Sequence, residues 1–287
     1  MNTRHHLVVG LHDSGKTTFI AALWHVVISG EIGSALQLHA LDGDRTHLNR
    51  IREAWLRCDP VPRTSQQAEA HVRMLLMDAD NRVSEVWFPD MSGESFRDQW
   101  VDRHWSAAYD KLVEQADSVL IFVHPERIVE PLRIAVVNAL AGGIADPQSS
   151  SSQPVPVTPR PWDAKQAATQ VQLVELLQLL QWRKPGQGWA ISMIVSAWDL
   201  IRGLGQTPHV WCRARLPLLD QFLRANTNSF RVRYCGVSAQ GGALPGEAGR
   251  LRAIECASER IQVVLDNLAP TSDITAILRH TPQEVGT

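Results

Sequence analysis

Eight residues near the amino terminus, Gly10-Leu11-His12-Asp13-Ser14-Gly15-Lys16-Thr17, have the types and spacing to hold a chain of phosphates. They fit the pattern G-x-x-x-x-G-K-S/T. Phosphate oxygens require several backbone N–H groups turned inward, and glycine makes that turn without a Cβ clash. A helix starting at Lys16, with Thr18 in its first turn, adds the positive end of its dipole. Lys16 can then reach the β- and γ-phosphates, and the Thr17 hydroxyl can ligate Mg²⁺. Chance matches to this pattern lack its context. Here the apolar run Leu7-Val8-Val9 precedes it, and Phe19, Leu23, Val26 and Val27 follow at helical spacing.

Four further stretches carry chemistry that fits the first. Pro89-Asp90-Met91-Ser92-Gly93-Glu94 contains D-x-x-G directly after an alternating strand. An Asp there holds Mg²⁺ through water, and the Gly N–H senses the γ-phosphate. Alone, D-x-x-G is a common turn; behind a phosphate loop it takes on this role. The polar segment from Asp59 to Ser65 supplies a hydroxyl for Mg²⁺ and the γ-phosphate, with Thr64 the first candidate and Ser65 the second, against the alternative of a plain polar loop. Ser196-Ala197-Trp198-Asp199 follows a buried strand at the place where guanine-specific proteins carry N/T-K-x-D. The Asp199 carboxylate can accept from guanine N1–H and the 2-amino group, a pair adenine does not offer. Ser238-Ala239-Gln240, one helix and one strand later, places the Ala239 N–H to meet guanine O6.

These loops need a scaffold that brings strand ends together. The spacing predicts a first helix over Lys16–Ser29 stopped by Gly30 and Gly33, and a short strand near Gln37 followed by a helix capped by Asp44 or Thr46. A hairpin over Ala70–Asp78 and Val83–Phe88 comes next. Ser95–Gln115 and Glu130–Leu140 read as helices. Ser118–Val123, Trp189–Val195 and Arg231–Val237 read as buried strands, and Thr169–Trp182 as an apolar helix. His209–Ala225 is helical with breaks at Pro208 and Pro217, and Glu247–Leu268 reads as a closing helix. The expected fold is α/β: a doubly wound, mostly parallel sheet with one antiparallel hairpin strand, in a single domain over 1–287. A helical insertion is expected near 43–62 and a flexible, Ser/Gln/Pro-rich one near 144–163. In such sheets ligands sit at the carboxyl ends of the strands, where the stretches at Gly10, Asp90, Asp199 and Ser238 fall, with Thr64 and Ser65 a few residues before the first strand of the hairpin.

Composition limits the function classes. A formal net charge of −2, with basic residues scattered along the 287-residue chain, gives no direct pull toward nucleic acid or anionic membrane. Cys58, Cys212, Cys235 and Cys256 form no C-x-x-C, so reduced, buried thiols in a cytoplasmic protein are expected. Most of the ten Trp residues are expected in the core.

At this point the chain resembles a P-loop GTPase of the TRAFAC clade, over residues 10–240. Its text around GKTTFIAALWHVV, PDMSGE and SAWD resembles the bacterial double-GTPase family of predicted conflict and defence systems. The resemblance implies GTP/GDP and Mg²⁺ as ligands. It also implies a molecular switch, a partner that is a second GTPase or a GTPase-associated protein, an antiviral defence setting, and room for a homodimer. Departures follow from the same residues. Glu94 stands where a water-orienting Gln or His is usual, so a slow intrinsic rate is expected. Ala197 replaces the Lys that packs over the base. Asp13 sits where some clade members help bind K⁺ in place of an arginine finger; Arg97 and Arg103 are the other internal source of positive charge. His12 and His124 are secondary candidates near the phosphates and the strand ends. A non-hydrolysing GTP-binding scaffold and a P-loop ATPase or kinase remain as alternatives.

Overall fold

The computed structural model describes residues 3–61, 72–89, 99–131, 163–186, 188–265 and 268–279. The candidates Thr64, Ser65, Asp90, Gly93, Glu94 and Arg97 lie outside these residues, as does nearly all of the insertion expected near 144–163.

Among the described residues, eight strands form one sheet in the order β2-β3-β4-β1-β5-β6-β7-β8. They are β1 Thr3–Gly10, β2 Gln37–Asp42, β3 Val72–Met77, β4 Val83–Phe88, β5 Ser118–Val123, β6 Trp189–Ser196, β7 Phe230–Ser238 and β8 Gln262–Leu265. β4, β1, β5, β6 and β7 are joined by parallel pairings. β3 runs antiparallel between β2 and β4, and β8 antiparallel along β7.

The continuous apolar run of β5 is explained by cover on both faces. Leu120 and Phe122 enter one core with Val8 of β1 and Ile194 of β6; Val119, Ile121 and Val123 enter the other with Leu7, Val9, Ile191, Met193 and Val195. The first face is covered by α1 Lys16–Ser29 and α2 Arg45–Leu56, through Phe19, Leu23, Trp24, Ile51 and Trp55. The second is covered by α3 Ala107–Gln115, α4 Thr169–Arg183, α5 Pro208–Arg215 and α6 Pro217–Ala225. Burial of each such Leu, Ile or Phe contributes about 1.5–3 kcal/mol.

Local chemistry sets the helix ends. α1 stops at Gly30, left-handed at φ 66°. Asp44 caps α2 by accepting from the amides of Thr46 and His47. Ser106 caps α3 by accepting from Tyr109 N. The helix expected over Ser95–Gln115 is therefore corrected: residues 99–102 are helical, Arg103 turns left-handed at φ 55°, and a new helix begins after Ser106. Pro217 separates α5 from α6, as its missing N–H requires. Of Glu130–Leu140, only residues 130 and 131 are described, and neither is helical.

The closing helix expected over Glu247–Leu268 is also corrected. Only α7 Ala248–Arg252 is helical, Ala257–Arg260 is a 3₁₀ turn, and Gln262–Leu265 is β8. Its β-branched pair Val263-Val264 lies opposite Val237 and Gly236, and the open edge of β7 outweighs local helical spacing.

Cys58, Cys212 and Cys235 are buried and Cys256 is half-exposed, and none of the four forms a disulfide. Trp182 departs from the expected core placement at 76% exposure. No helix among the described residues is long and apolar enough to cross a membrane.

Candidate nucleotide site

β1 lies between β4 and β5, so the chain leaves its end toward one side of the sheet and later returns to the other. That switch point is where a doubly wound sheet opens a crevice. Gly10 ends β1 there, paired with Phe122 of β5. The loop then turns back on itself through two left-handed residues, Asp13 at φ 56° and Gly15 at φ 92°.

Gly15 is required for two reasons. Its φ is strained for any residue with a Cβ. A Cβ built there also meets Ser196 of β6, 2.7 Å from Cβ and 2.8 Å from Oγ. Ser196 is itself fixed, donating from Oγ to Val123 O at 3.2 Å. The phosphate loop is thereby seated against the strand that leads to Asp199.

Lys16 is only 5% exposed. Its ammonium donates to Gly10 O at 2.8 Å, Leu11 O at 3.0 Å and Ser14 Oγ at 3.4 Å. The loop thus curls around the Lys16 head. At the helix start, Gly15 provides no side-chain cap and the first turn holds no acidic residue. The first helical bond runs from Phe19 N to Gly15 O at 3.0 Å, so the amide groups before Phe19 point along the axis toward the loop. An uncapped, positive helix end beside a buried ammonium fits an anionic ligand such as a phosphate chain. Ser14 is buried, and Thr17 and Thr18 are half-buried in the first turn. His12 Nε2 lies 3.3 Å from Asp13 Oδ1 at the loop's outer side.

The second half of the site lies at the ends of β6 and β7, paired in parallel up to Ser196 and Val237. Ala197 is left-handed at φ 46° and opens the short turn Trp198–Leu200. Trp198 is buried flat over Gly236, where any Cβ would strike the indole. This fixes the turn and brings Asp199 beside β7. There the Ser238 hydroxyl donates to Asp199 Oδ1 and accepts from Gly241 N at 3.2 Å. Asp199 and Ser238, 39 residues apart in the chain, are thus brought together, with Ala239 next to them.

His124 follows β5, between these two halves. Its Nδ1 accepts from Glu126 N at 3.2 Å, which leaves Nε2 to carry the proton in the neutral ring. Burial holds its pKa below the ordinary value, opposed by Glu126, Asp199 and Asp13. Arg103 is directed elsewhere: it pairs with Glu175 of α4 at 3.3 Å and stacks on Trp100.

Thr17 is half-buried in the first turn, and the hydroxyl and carboxylate expected as metal ligands with it, Thr64 and Asp90, lie outside the described residues. Among the described residues there is no cluster of three His, Cys, Asp or Glu side chains that could hold a metal without them. The contact of Trp55 on the helix after β2 with Gln240 in the loop after β7 was not foreseen, because no spacing pattern links residues 185 apart. Gly236 carried a signal, since glycine inside a strand marks close approach of another group.

A family model described as Double-GTPase 1 matches residues 7–281. No curated protein is matched. Among solved structures, the chain is similar to the Arl6 BBS3 small GTPase from Trypanosoma brucei with bound GppNp, at 15% identity over 90% of this chain and 99% of that one, with a TM-score of 0.38. It is also similar to a chain of the signal recognition particle receptor SRb-GTP/SRX complex from Chaetomium thermophilum, at 15% identity over 88% and 98%, with a TM-score of 0.38. The α/β architecture, the strand order and the phosphate loop are those of a P-loop NTPase.

Proposed function

The chain belongs to the Double-GTPase 1 family, and from that premise we propose that it binds GTP with Mg²⁺, hydrolyses it slowly, and acts as a switch on a protein partner. The observation that supports this reading is the meeting, at one end of the sheet, of the Lys16 loop with the Asp199–Ser238 pair, joined where Gly15 seats on Ser196. One half suits a triphosphate and the other a guanine edge.

In this reading the loop amides and Lys16 hold the β- and γ-phosphates. Asp199 selects the base by accepting from N1–H and the 2-amino group, with the Ser238 hydroxyl fixing its carboxylate. Thr17, Thr64 and Asp90 would hold Mg²⁺, which when bound would neutralise charge on the phosphate oxygens. Gly93 and Thr64 respond to the γ-phosphate, and its loss releases their loops. Glu94 is a carboxylate where a neutral Gln or His is usual, which keeps unaided hydrolysis slow. Asp13 helps bind K⁺, which supplies the positive charge that an arginine finger supplies elsewhere. The partner is a second GTPase or GTPase-associated protein of a bacterial defence system.

Phosphate release from GTP tests the catalytic part. With Mg²⁺ we expect roughly 10⁻⁴–10⁻² s⁻¹, the range of GTPases acting without an activating partner, and a faster rate in K⁺ than in Na⁺. No Mg²⁺-dependent release in either salt would leave a GTP-binding scaffold in its place.

A further inference from the structure

The loop after β7 is gripped from behind by α2. Trp55, fully buried on α2, donates from Nε1 to Ala239 O at 2.9 Å, across 184 residues of chain. Gln240 answers from the loop, donating from Nε2 to Trp55 O at 3.3 Å and to Cys58 Sγ at 3.5 Å. Arg260, just before β8, donates to Leu56 O at 3.1 Å and Cys58 Sγ at 3.3 Å, with its guanidinium 5.6 Å from the Trp55 ring centre. On α1, His25 packs against the indole with ring centres 5.0 Å apart and accepts from Arg52 Nε at 3.0 Å. The indole is therefore held by three elements and points its one donor at the base loop.

We propose that Trp55 is a positioning residue for base selection, and that α2 is the part of this chain that sets the guanine loop. Trp55 does not touch the nucleotide. By holding the Ala239 carbonyl, and with Gln240 the peptide beyond it, it fixes the backbone on one side of Ala239. Asp199 and Gly241, through the Ser238 hydroxyl, fix the other. The Ala239 N–H between them is then aimed at a 6-oxo purine, which accepts, and against a 6-amino purine, which does not. Without the grip the loop can turn and discrimination falls, while the phosphate contacts at Lys16 are unchanged. The inference rests on the GTP reading above.

The test compares Trp55→Phe with Trp24→Phe. Trp24 is also fully buried at the α1–α2 interface, but its Nε1 donates to Asn49 Oδ1 at 3.0 Å and not to the loop. Dissociation constants for GTP and ATP are measured by calorimetry, with thermal midpoints as the index of folding. Loss of a donor to a buried carbonyl predicts a roughly tenfold fall in the GTP-over-ATP preference for Trp55→Phe, with ATP affinity changed less than about threefold. Trp24→Phe lowers the thermal midpoint comparably and keeps the wild-type preference. An unchanged preference in Trp55→Phe overturns the inference, and so does an equal fall in Trp24→Phe. A wild type with no preference for GTP overturns the GTP reading itself, and that is seen before any variant is made. Should Trp55→Phe not fold, Gln240→Met carries the same test: a fall of about threefold is expected, and none would overturn the inference.

Discussion

Replacing Gly15 by Ala is the sharpest structural test of the phosphate loop. At φ 92° the backbone is left-handed, which costs an L-residue about 1–2 kcal/mol. The new methyl would also lie 2.7 Å from Ser196 Cβ and 2.8 Å from its Oγ. Ser196 is 5% exposed and bonded to Val123 O, so it cannot yield without disturbing β5 or β6. Overpacking of this kind costs about 1–3 kcal/mol. The combined loss is about 3 kcal/mol, a large part of the 5–15 kcal/mol typical of a folded protein. For a chain of this size that is a fall of about 6–12 °C in the thermal midpoint. Gly30→Ala is the control: φ is 66°, yet nothing lies within 4 Å of a Cβ, so only the backbone strain remains, about 1 kcal/mol. Thermal unfolding of both variants without nucleotide, followed by GTP titration, reads the difference. If Gly15→Ala loses no more stability than Gly30→Ala and still binds GTP as the wild type does, the seating of the loop on Ser196 is wrong.

Two further outcomes follow from the same geometry. Lys16→Ala removes the ammonium that the loop encloses and is expected to weaken GTP binding by at least about a hundredfold, since charge-assisted bonds contribute about 1.5–3 kcal/mol each; tight binding by this variant in calorimetry would refute the site. Stability is expected to fall on acidification in two steps. Burial, opposed by Glu31, pushes the His25 imidazole below its ordinary 6.5, so from about that pH downward the unfolded chain binds a proton that the folded one refuses. Burial alone would raise the Glu31 pKa, but the Ser258 amide and His25 outweigh it and hold the carboxyl at about 2 against its ordinary 4.5; its contribution, about 1–2 kcal/mol after solvent screening, is lost between those values as pH falls. Urea unfolding at pH 7.5, 5.5 and 3 should show both steps, and Glu31→Gln should reduce the lower one, to which Asp110 and Glu247 also contribute; a lower step of unchanged size in Glu31→Gln would contradict the assignment.

What the sequence revealed was what short-range chemistry controls. The phosphate loop was legible because its glycines and lysine act within eight residues. β5 and β6 were legible because two-sided burial makes the run almost wholly apolar, with Ser118, Ser192 and Ser196 the polar residues among Val, Leu, Ile, Phe and Met. The order of elements then located Asp199 and Ser238 at neighbouring strand ends. β8 was not legible: the four residues Gln262–Leu265 have no strand character of their own beyond two valines, and only the free edge of β7 makes them pair. The break at Arg103 was hidden for a similar reason, since its ion pair with Glu175 and its stacking on Trp100 come from the tertiary fold. The grip of Trp55 on Ala239 was hidden for the same reason at longer range. In the sequence α2 is an amphipathic insertion, and nothing marks its indole as facing a loop 184 residues away.

The nucleotide proposed for the crevice at the end of β1 is a guanine one. Calorimetric titration of nucleotide-free protein with GTP and with ATP in Mg²⁺, repeated on Asp199→Ala, tests it most directly. A carboxylate that accepts twice from guanine predicts GTP binding at least about tenfold tighter than ATP in the wild type, and loss of that margin in Asp199→Ala with ATP affinity unchanged. Equal affinity for the two nucleotides in the wild type, or a margin that survives removal of the Asp199 carboxylate, would contradict it.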